Sequence, residues 1–254
     1  LAVNLSDLAA MGARPLGFTL ALSLPAADPL WLQPFSEGLM NLADAHQIEL
    51  IGGDTTRGPL NLCVTVFGSV PEGAAIRRSG ARPGDEIWVS GSLGDAKLAL
   101  SALLGEIALD AQPLAVAAER LHMPIPRTAL GIALRGVATA AIDISDGLSG
   151  DLGHILEQSA VGAVVHADAL PIGLALSRFE QHQRQAFALS GGDDYELCFC
   201  APAEKHLAVL EAGEVNPDQS QAIAEAMQEA RVALKSDALA NIRAASESLK
   251  KTLP

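Results

Sequence analysis

The spacing of apolar residues switches repeatedly between the helical period and the strand period along the first seventy residues of the chain. Stretches with apolar residues three and four positions apart predict helices, and short apolar runs bounded by Gly, Pro or charge predict strands. The predicted elements are helices at 5–12 and 28–46, strands at 16–24, 48–52 (buried) and 60–70, and a turn at 54–59. Such alternation is typical of an α/β or α+β unit.

A segment rich in Gly, Pro and charge follows and predicts a domain boundary near residue 73. We therefore expect domains at 1–73 and 74–205 and a tail at 206–254. In the second domain the pattern predicts strands at 86–90, 137–144, 162–167 and 195–200, and helices at 96–104, 112–121, 127–137 and from 148 onward. The tail loses its glycines after Gly213 and predicts two helices, at 217–234 and 237–251.

The sequence from Asp143 to Gly147 (Asp-Ile-Ser-Asp-Gly) joins the apolar run to the helical pattern that begins at Leu148. Ser145 or Asp146 is expected to cap that helix. Two interpretations of the aspartates are open: Asp143 and Asp146 hold a cation between them, or one is a cap and the other a turn residue.

Composition narrows the class of protein. The chain has 254 residues and a formal net charge of −13, which argues against nucleic acid as a partner because no basic stripe is available for phosphates. No apolar run is long enough for a membrane span. Three cysteines without a pairing or zinc spacing fit free thiols in the cytoplasm. The chain starts at Leu1, inside what looks like a domain, so we expect N-terminal truncation.

Acidic residues recur beside glycines or at helix starts in four places. Neighbouring Asp side chains can hold Mg²⁺, which bridges to substrate phosphates, and glycines allow the backbone to approach phosphate oxygens. No Walker-type or protein-kinase motif is present. The clusters are Asn4–Asp7, Gly52–Thr56, Asp143–Gly147 and Gly191–Tyr195.

These clusters, in this order, resemble the thiamine-monophosphate kinase family, which belongs with the aminoimidazole ribonucleotide and selenophosphate synthetases. The resemblance covers about residues 1–200 and includes Arg-Ser-Gly-Ala-Arg-Pro-Gly-Asp from Arg78 and Gly-Gly-Asp-Asp-Tyr-Glu-Leu from Gly191. It implies a two-domain α/β fold of the aminoimidazole ribonucleotide synthetase type and a homodimer formed through the N-terminal domains. The tail after Pro202 departs from the family pattern and gives this chain an atypical helical C-terminus.

The resemblance also implies roles for individual residues and assigns no catalytic side chain. Asp193 stands where the family usually has a substrate-binding Glu, so its reach toward thiamine is one methylene shorter. The implied Mg²⁺ ligands are Asp7, Asp54, Asp143 and Asp146, and the implied ATP contacts are Gly53, Asp54, Arg78 and Ser145.

The implied activity is Mg²⁺-dependent transfer of the ATP γ-phosphoryl group to thiamine monophosphate, directly and without a general base. Two alternatives are open. One is another ATP-using superfamily member, such as a selenophosphate or aminoimidazole ribonucleotide synthetase. The other is an inactive fragment that serves as a binding module.

Overall fold

The N-terminal part of the molecule is a three-stranded sheet with helices on one face. The structure is a computed structural model that describes residues 1–213. The elements of this part are α1 (Ala2–Ala10), β1 (Arg14–Leu24), α2 (Pro29–Ala45), β2 (Glu49–Arg57) and β3 (Asn61–Ser69). The central strand β1 runs parallel to β2 and antiparallel to β3.

The covered face of this sheet carries the N-terminal core. Phe18 on β1 is fully buried against Leu5 and Leu8 of α1 and Ala43 of α2. The helix α2 begins where the Asp28 carboxylate accepts a hydrogen bond from the backbone N–H of Leu30 at 2.9 Å, which satisfies one of the free amides of the first turn. Apolar spacing and a cap therefore act together to set this face.

The C-terminal part contains a second three-stranded sheet in the order β4-β6-β5, with both pairs antiparallel. Its elements are β4 (Asp85–Val89), α3 (Asp95–Leu103), α4 (Ala111–His122), α5 (Thr128–Ala133), β5 (Ala140–Asp143), α6 (Leu148–Ser159), α7 (Gln181–Ser190), β6 (Leu197–Pro202) and α8 (His206–Ala212). The strands β4 and β5 are buried throughout, since helices cover both faces of the sheet.

Alternating side chains of β6 supply two cores. Cys198 and Cys200 point into the core that contains Leu148, Leu152 and Ile155 of α6. On the other face, Phe199 packs with Trp88, their rings stacked at 6.4 Å, and with Ala9 and Ala10 of α1 and Leu130 of α5.

Helix α1 therefore belongs to both cores, and it joins the two halves of the molecule. Its Leu5 and Leu8 are buried in the N-terminal core, whereas Ala9 and Ala10 are buried in the C-terminal one. Contact with α5 is backbone to backbone: a Cβ on Gly131 would lie 2.0 Å from the carbonyl oxygen of Ala9. The close packing of α1 on α5 fixes the position of α1 against the C-terminal sheet.

Several sequence predictions need correction. The strand predicted as buried at 48–52 is β2, and all nine of its residues are exposed because it is an edge strand whose two faces are both left uncovered. The turn predicted at 54–59 begins later, since β2 pairs with β1 as far as Arg57. The helix predicted at 127–137 is α5 and ends at Ala133.

The strand predicted at 162–167 is wrong. Val161, Ala163, Val165 and Ala167 do pack on the α6 side of the core, which explains the alternating pattern. Within residues 1–213, however, no neighbouring strand pairs with this segment, and only Ile172 further on forms an isolated bridge, to Leu93. Predicted helices at 217–234 and 237–251 lie outside the described residues.

Candidate active site

The loop between β5 and α6 is the centre of the candidate site. Asp143 ends β5 and is 6% exposed, and Gly147 is the residue that caps α6, with φ of 107°. No side-chain cap bond is formed at Gly147, so the expectation that Ser145 or Asp146 caps the helix is wrong. Instead, the Asp151 carboxylate accepts hydrogen bonds from the backbone N–H groups of Ser145 and Asp146, each at 3.0 Å.

The segment Gly191–Glu196 runs along this loop and is hydrogen-bonded to it. The N–H of Asp193 donates to the carbonyl of Ser145 at 2.9 Å, and the N–H of Tyr195 donates to that of Ile144 at 2.8 Å. Asp193 and Tyr195 have φ of 67° and 49°, a left-handed backbone that costs on the order of 1 kcal/mol or more at a non-glycine residue. The positive φ of Tyr195 also explains why β6 starts at Leu197 rather than at residue 195.

Helix α1 brings Asp7 to Asp143. Burial, and then the neighbouring Asp7 carboxylate, raise the pKa of Asp143. Burial likewise raises the pKa of Asp7, and the Arg78 guanidinium opposes that shift. The two carboxylates therefore repel each other across the junction of the two halves, an arrangement that favours a bound cation.

A cavity of about 330 Å³ opens at this junction. The side chains around it combine negative charge, positive charge and apolar surface. It is lined by Asp7, Ala10, Met11, Ile76, Arg77, Arg78, Ala141, Ile142 and Asp143. Carboxylates that suit a divalent cation and guanidinium groups that suit a phosphate thus share one space.

Tyr195 lies near acidic residues from three parts of the chain. Burial raises the pKa of its phenol, and the carboxylates of Asp193, Asp143, Asp146 and Asp7, in that order, raise it further. The phenol therefore lies within electrostatic reach of four of the acidic residues singled out in the sequence. Sequence reasoning missed this residue, although it is the single tyrosine of the chain and directly follows two aspartates.

Asp54 and Gly53 are placed elsewhere. Both lie on β2, where Asp54 is exposed and accepts a hydrogen bond from the N–H of Thr55 at 2.9 Å. The register pairs Asp54 with Ala21, on the face of the sheet away from α1. Gly53 has a packing reason of its own, since a Cβ there would lie 2.0 Å from the carbonyl oxygen of Leu20. Neither residue lines the cavity around Asp7 and Asp143.

The expected convergence of four aspartates is thus only partly seen. Asp7, Asp143 and Asp146 share one region, and Asp54 is apart from the cavity that Asp7 and Asp143 line. Within residues 1–213, no group of three or more Asp, Glu, His or Cys side chains is arranged to hold a metal ion. A pair of carboxylates still fits Mg²⁺, which is commonly held by one or two carboxylates, water and substrate phosphates.

A network of charged and polar side chains surrounds the residue that follows Tyr195. Glu196 is fully buried; its carboxylate accepts the Arg120 guanidinium at 2.5 Å, that of Arg127 at 2.6 and 2.7 Å, and the Ser90 hydroxyl at 2.6 Å. Next to it, burial raises the pKa of Asp194 to about 8. Asp194 and Glu196 belong to motifs noted in the sequence, but the sequence analysis assigned no role to either carboxyl group or to the two arginines.

None of the helices in the described part of the chain is both long and apolar enough to cross a membrane. The three cysteines are free thiols, with Cys198 and Cys200 buried and Cys63 exposed. Burial raises the pKa of the Cys200 thiol to about 12, which makes it unreactive.

Comparison with known proteins agrees with this architecture. Residues 1–70 match the family model "AIR synthase related protein, N-terminal domain", and residues 82–237 match "AIR synthase related protein, C-terminal domain". The fold and the acidic site at the junction of its halves thus define an AIR synthase related protein.

Comparison with individual proteins identifies a more specific family within this class. A thiamine-monophosphate kinase of Salmonella typhimurium is 50% identical over 204 residues, which is 80% of this chain and 63% of the relative. The crystal structure of a thiamine-monophosphate kinase from Stenotrophomonas maltophilia K279a is 52% identical with a TM-score of 0.79, and the match covers 83% of this chain and 68% of that one. The chain belongs to the thiamine-monophosphate kinase family.

A third similar structure is described as AaThiL complexed with AMPPCP and TMP. It is 29% identical with a TM-score of 0.74, and the match covers 80% of this chain and 67% of that chain. The present chain spans about 63% of the length of the curated relatives from Salmonella typhimurium and Escherichia coli that it matches.

Proposed function

We propose that the protein transfers the γ-phosphoryl group of ATP to thiamine monophosphate and forms thiamine diphosphate. The relatives at about 50% identity carry the name of this activity, and a similar structure holds AMPPCP, an analogue of ATP, together with TMP. The relatives named are kinases, which favours this activity over that of a selenophosphate or aminoimidazole ribonucleotide synthetase.

The observation that carries the proposal is the meeting of Asp7, Asp143 and Arg78 at one cavity. Both carboxylates line it, their charges oppose each other, and a guanidinium stands beside them. Phosphoryl transfer between two polyanions needs this combination, because positive charge must be concentrated where the two phosphates approach.

The residues implied for the metal fit Mg²⁺, since hard carboxylate oxygens are its preferred protein ligands. Asp7, Asp143 and Asp146 would hold it. When bound, the ion neutralises charge on the phosphate oxygens that face each other during transfer. Asp54 is a proposed ligand on the family resemblance alone, because its position on β2 adds no support.

The protein side chains orient and bind rather than exchange protons. A phosphate monoester has its second pKa near 6, so the attacking oxygen of thiamine monophosphate is largely deprotonated at neutral pH. Arg78 binds a phosphate of ATP from the rim of the cavity. Ser145 contacts ATP from the loop after β5, and Gly53 is the corresponding proposal on β2.

Asp193 is proposed to bind the thiamine end of the substrate. Thiamine carries a permanent positive charge on its thiazolium ring, which a carboxylate attracts. The position of Asp193 near the Tyr195 phenol and on the far side of the loop from Asp151 supports this role.

A homodimer is proposed to form through the uncovered face of the N-terminal sheet. Phe67 on β3 and Ile51 on β2 are 46% and 60% exposed, and Phe67 pairs with Gly17 on the side of β1 opposite to the core residue Phe18. Large exposed apolar side chains on a sheet commonly mark a protein–protein interface. Free cysteines agree with a cytoplasmic location.

The test is a kinase assay with ATP, thiamine monophosphate and Mg²⁺, in which the product is identified by mass. Asp143→Asn should lower kcat by at least about 100-fold at saturating Mg²⁺, since a preorganised charge at the reacting phosphates is worth several kcal/mol. Glu157→Gln, an exposed carboxylate on α6, is the matched control. A variant Asp143→Asn with wild-type turnover, or a wild-type chain that forms no thiamine diphosphate, would contradict the proposal.

Asp54→Asn measured beside it decides whether β2 contributes to the same site. A loss of the same size places Asp54 among the ligands. Unchanged turnover removes Asp54 from the ligand set and leaves the cavity at Asp7 and Asp143 as the metal site.

A further inference from the structure

Asp151, on the first part of α6, has a contact that the resemblance and the proposed mechanism do not use. Its side chain is buried, with 4% of the residue exposed. One oxygen, Oδ2, accepts both the N–H of Ser145 and the N–H of Asp146 at 3.0 Å. A side chain of α6 thus binds the backbone of the loop that precedes the helix.

The loop needs such an acceptor. Helix α6 has no side-chain cap at Gly147, and the backbone N–H groups just before a helix find no backbone carbonyl partner in it. From the opposite side, the N–H of Asp193 donates to the carbonyl of Ser145. The peptide groups at 145 and 146 are therefore held on one side by Asp151 and on the other by the segment that carries Asp193 and Tyr195.

An ionised carboxylate is energetically unfavourable at this position. Burial raises the pKa of Asp151, and the nearby Asp146 carboxylate also opposes its ionised form. An apolar residue would avoid both costs but would leave two backbone donors unpaired. The retained acceptor therefore points to a requirement for a fixed loop conformation rather than for negative charge.

We infer that Asp151 is a positioning residue for phosphoryl transfer, which holds the peptide groups of Ser145 and Asp146 and so fixes the loop that follows Asp143 at the cavity. It acts through those residues and touches no substrate. The inference rests on the proposed function for its effect on turnover. The two hydrogen bonds from the loop amides to Asp151, here called the loop clamp, are observable without any substrate.

Two substitutions separate geometry from charge. Asp151→Asn removes the charge and keeps an acceptor oxygen at the same distance from the backbone. Asp151→Glu keeps the charge and moves the oxygen by one methylene. We expect kcat of Asp151→Asn to stay within about threefold of wild type and kcat of Asp151→Glu and Asp151→Ala to fall by about tenfold or more, with little change in KM for ATP.

The second measurement is amide hydrogen exchange at Ser145 and Asp146, followed by NMR on the complete chain without ligands. Exchange should be about tenfold or more faster in Asp151→Glu and Asp151→Ala than in the wild type, and near wild type in Asp151→Asn. Glu157→Ala, which removes an exposed carboxylate from the same helix, should change neither turnover nor exchange. If Asp151→Ala does not fold, the Asn and Glu pair decides the question.

Three results would overturn the inference: unchanged exchange at 145 and 146 in Asp151→Glu, wild-type turnover in that variant, or a larger loss in Asp151→Asn than in Asp151→Glu. A wild-type chain without kinase activity would refute the proposed function, and the exchange rates would then decide on the clamp alone. An active wild type whose turnover no Asp151 substitution changes would refute the positioning role of Asp151 and leave the proposed function standing.

Discussion

At the scale of single residues, the molecule places several charges in its interior and satisfies them in different ways. Glu196 is matched by two guanidinium groups and a hydroxyl, whereas Asp194 accepts a hydrogen bond only from the N–H of Gly94 among the contacts described for it. These two carboxyl groups, two residues apart in the segment before β6, are therefore expected to respond differently when each is replaced by an amide.

Glu196→Gln should destabilise the protein by about 3–5 kcal/mol, because it leaves the largely buried cations Arg120 and Arg127 facing a neutral amide. Urea unfolding followed by circular dichroism measures the change. Exposed Glu157→Gln should stay within about 0.5 kcal/mol of wild type. Equal unfolding midpoints for the two variants would show that the buried pairs contribute nothing to the free energy of unfolding.

Asp194 predicts a pH dependence of stability. With its pKa raised to about 8 by burial, the folded protein keeps a proton on this carboxyl that the unfolded chain releases near pH 4. The unfolded state thus binds fewer protons between these values, and the stability falls as the pH rises, by up to about 1.4 kcal/mol per pH unit. Below pH 4 both states are protonated and this contribution is constant.

Asp194→Asn keeps an acceptor for the N–H of Gly94 and cannot ionise. Its free energy of unfolding, measured in urea from pH 5 to 7.5, should therefore fall less steeply with pH than that of the wild type. The exposed Asp44→Asn should keep the wild-type slope. Parallel curves for Asp194→Asn and the wild type would mean that this carboxyl is ionised in the folded protein.

At the scale of elements, the contact between α1 and α5 decides how the two halves meet. The close approach depends on Gly131, since a Cβ there would collide with the backbone of Ala9. Because Asp7 lies on α1 and Asp143 ends a strand of the sheet that α1 packs on, the candidate site depends on this helix pair.

Gly131→Ala should therefore separate α1 from α5 and cost about 1–3 kcal/mol of stability, the usual range for overpacking. Gly153→Ala on α6 is the matched control: a Cβ there meets open space, and alanine should stabilise the helix by about 0.5–1 kcal/mol. Thermal unfolding compares them. Two shifts of the same sign would contradict the assignment of α5 as the tight contact.

At the scale of the whole molecule, the uncovered face of the N-terminal sheet contrasts with the C-terminal sheet, which is covered on both faces. A face with exposed Phe67 and Ile51 is expected to associate with a second copy. Helix α1, which carries Asp7, lies on the other side of this sheet, so association and the cavity that Asp7 lines use separate surfaces.

Phe67→Glu should convert the proposed dimer to a monomer, because it would bury an unpaired charge in the proposed interface. Sedimentation velocity measures the mass. Leu207→Glu places the same charge on α8 at a position that is 72% exposed, and it should leave the mass unchanged. A wild-type protein that sediments as a monomer, or a dimer that Phe67→Glu does not weaken, would refute this interface.

The sequence alone was sufficient for what depends on neighbours along the chain. The spacing of apolar residues predicted α2, β1, β4 and most of the other described elements. The motif residues indicated the family that the comparisons confirm. Helix and strand formation follow from the local order of apolar and polar residues, so their signal is present in any window of the sequence.

The tertiary structure decided which partners those elements find. The alternating residues at 162–167 do pack on the core, yet the segment has no strand beside it in the described chain. The apolar residues at the start of β2 predicted a buried strand, but all of β2 is exposed. Asp7 meets Asp143, and Glu196 meets Arg120, because helices and strands far apart in sequence pack together. Such contacts depend on how a whole sheet and its covering helices close on each other, which local order does not encode.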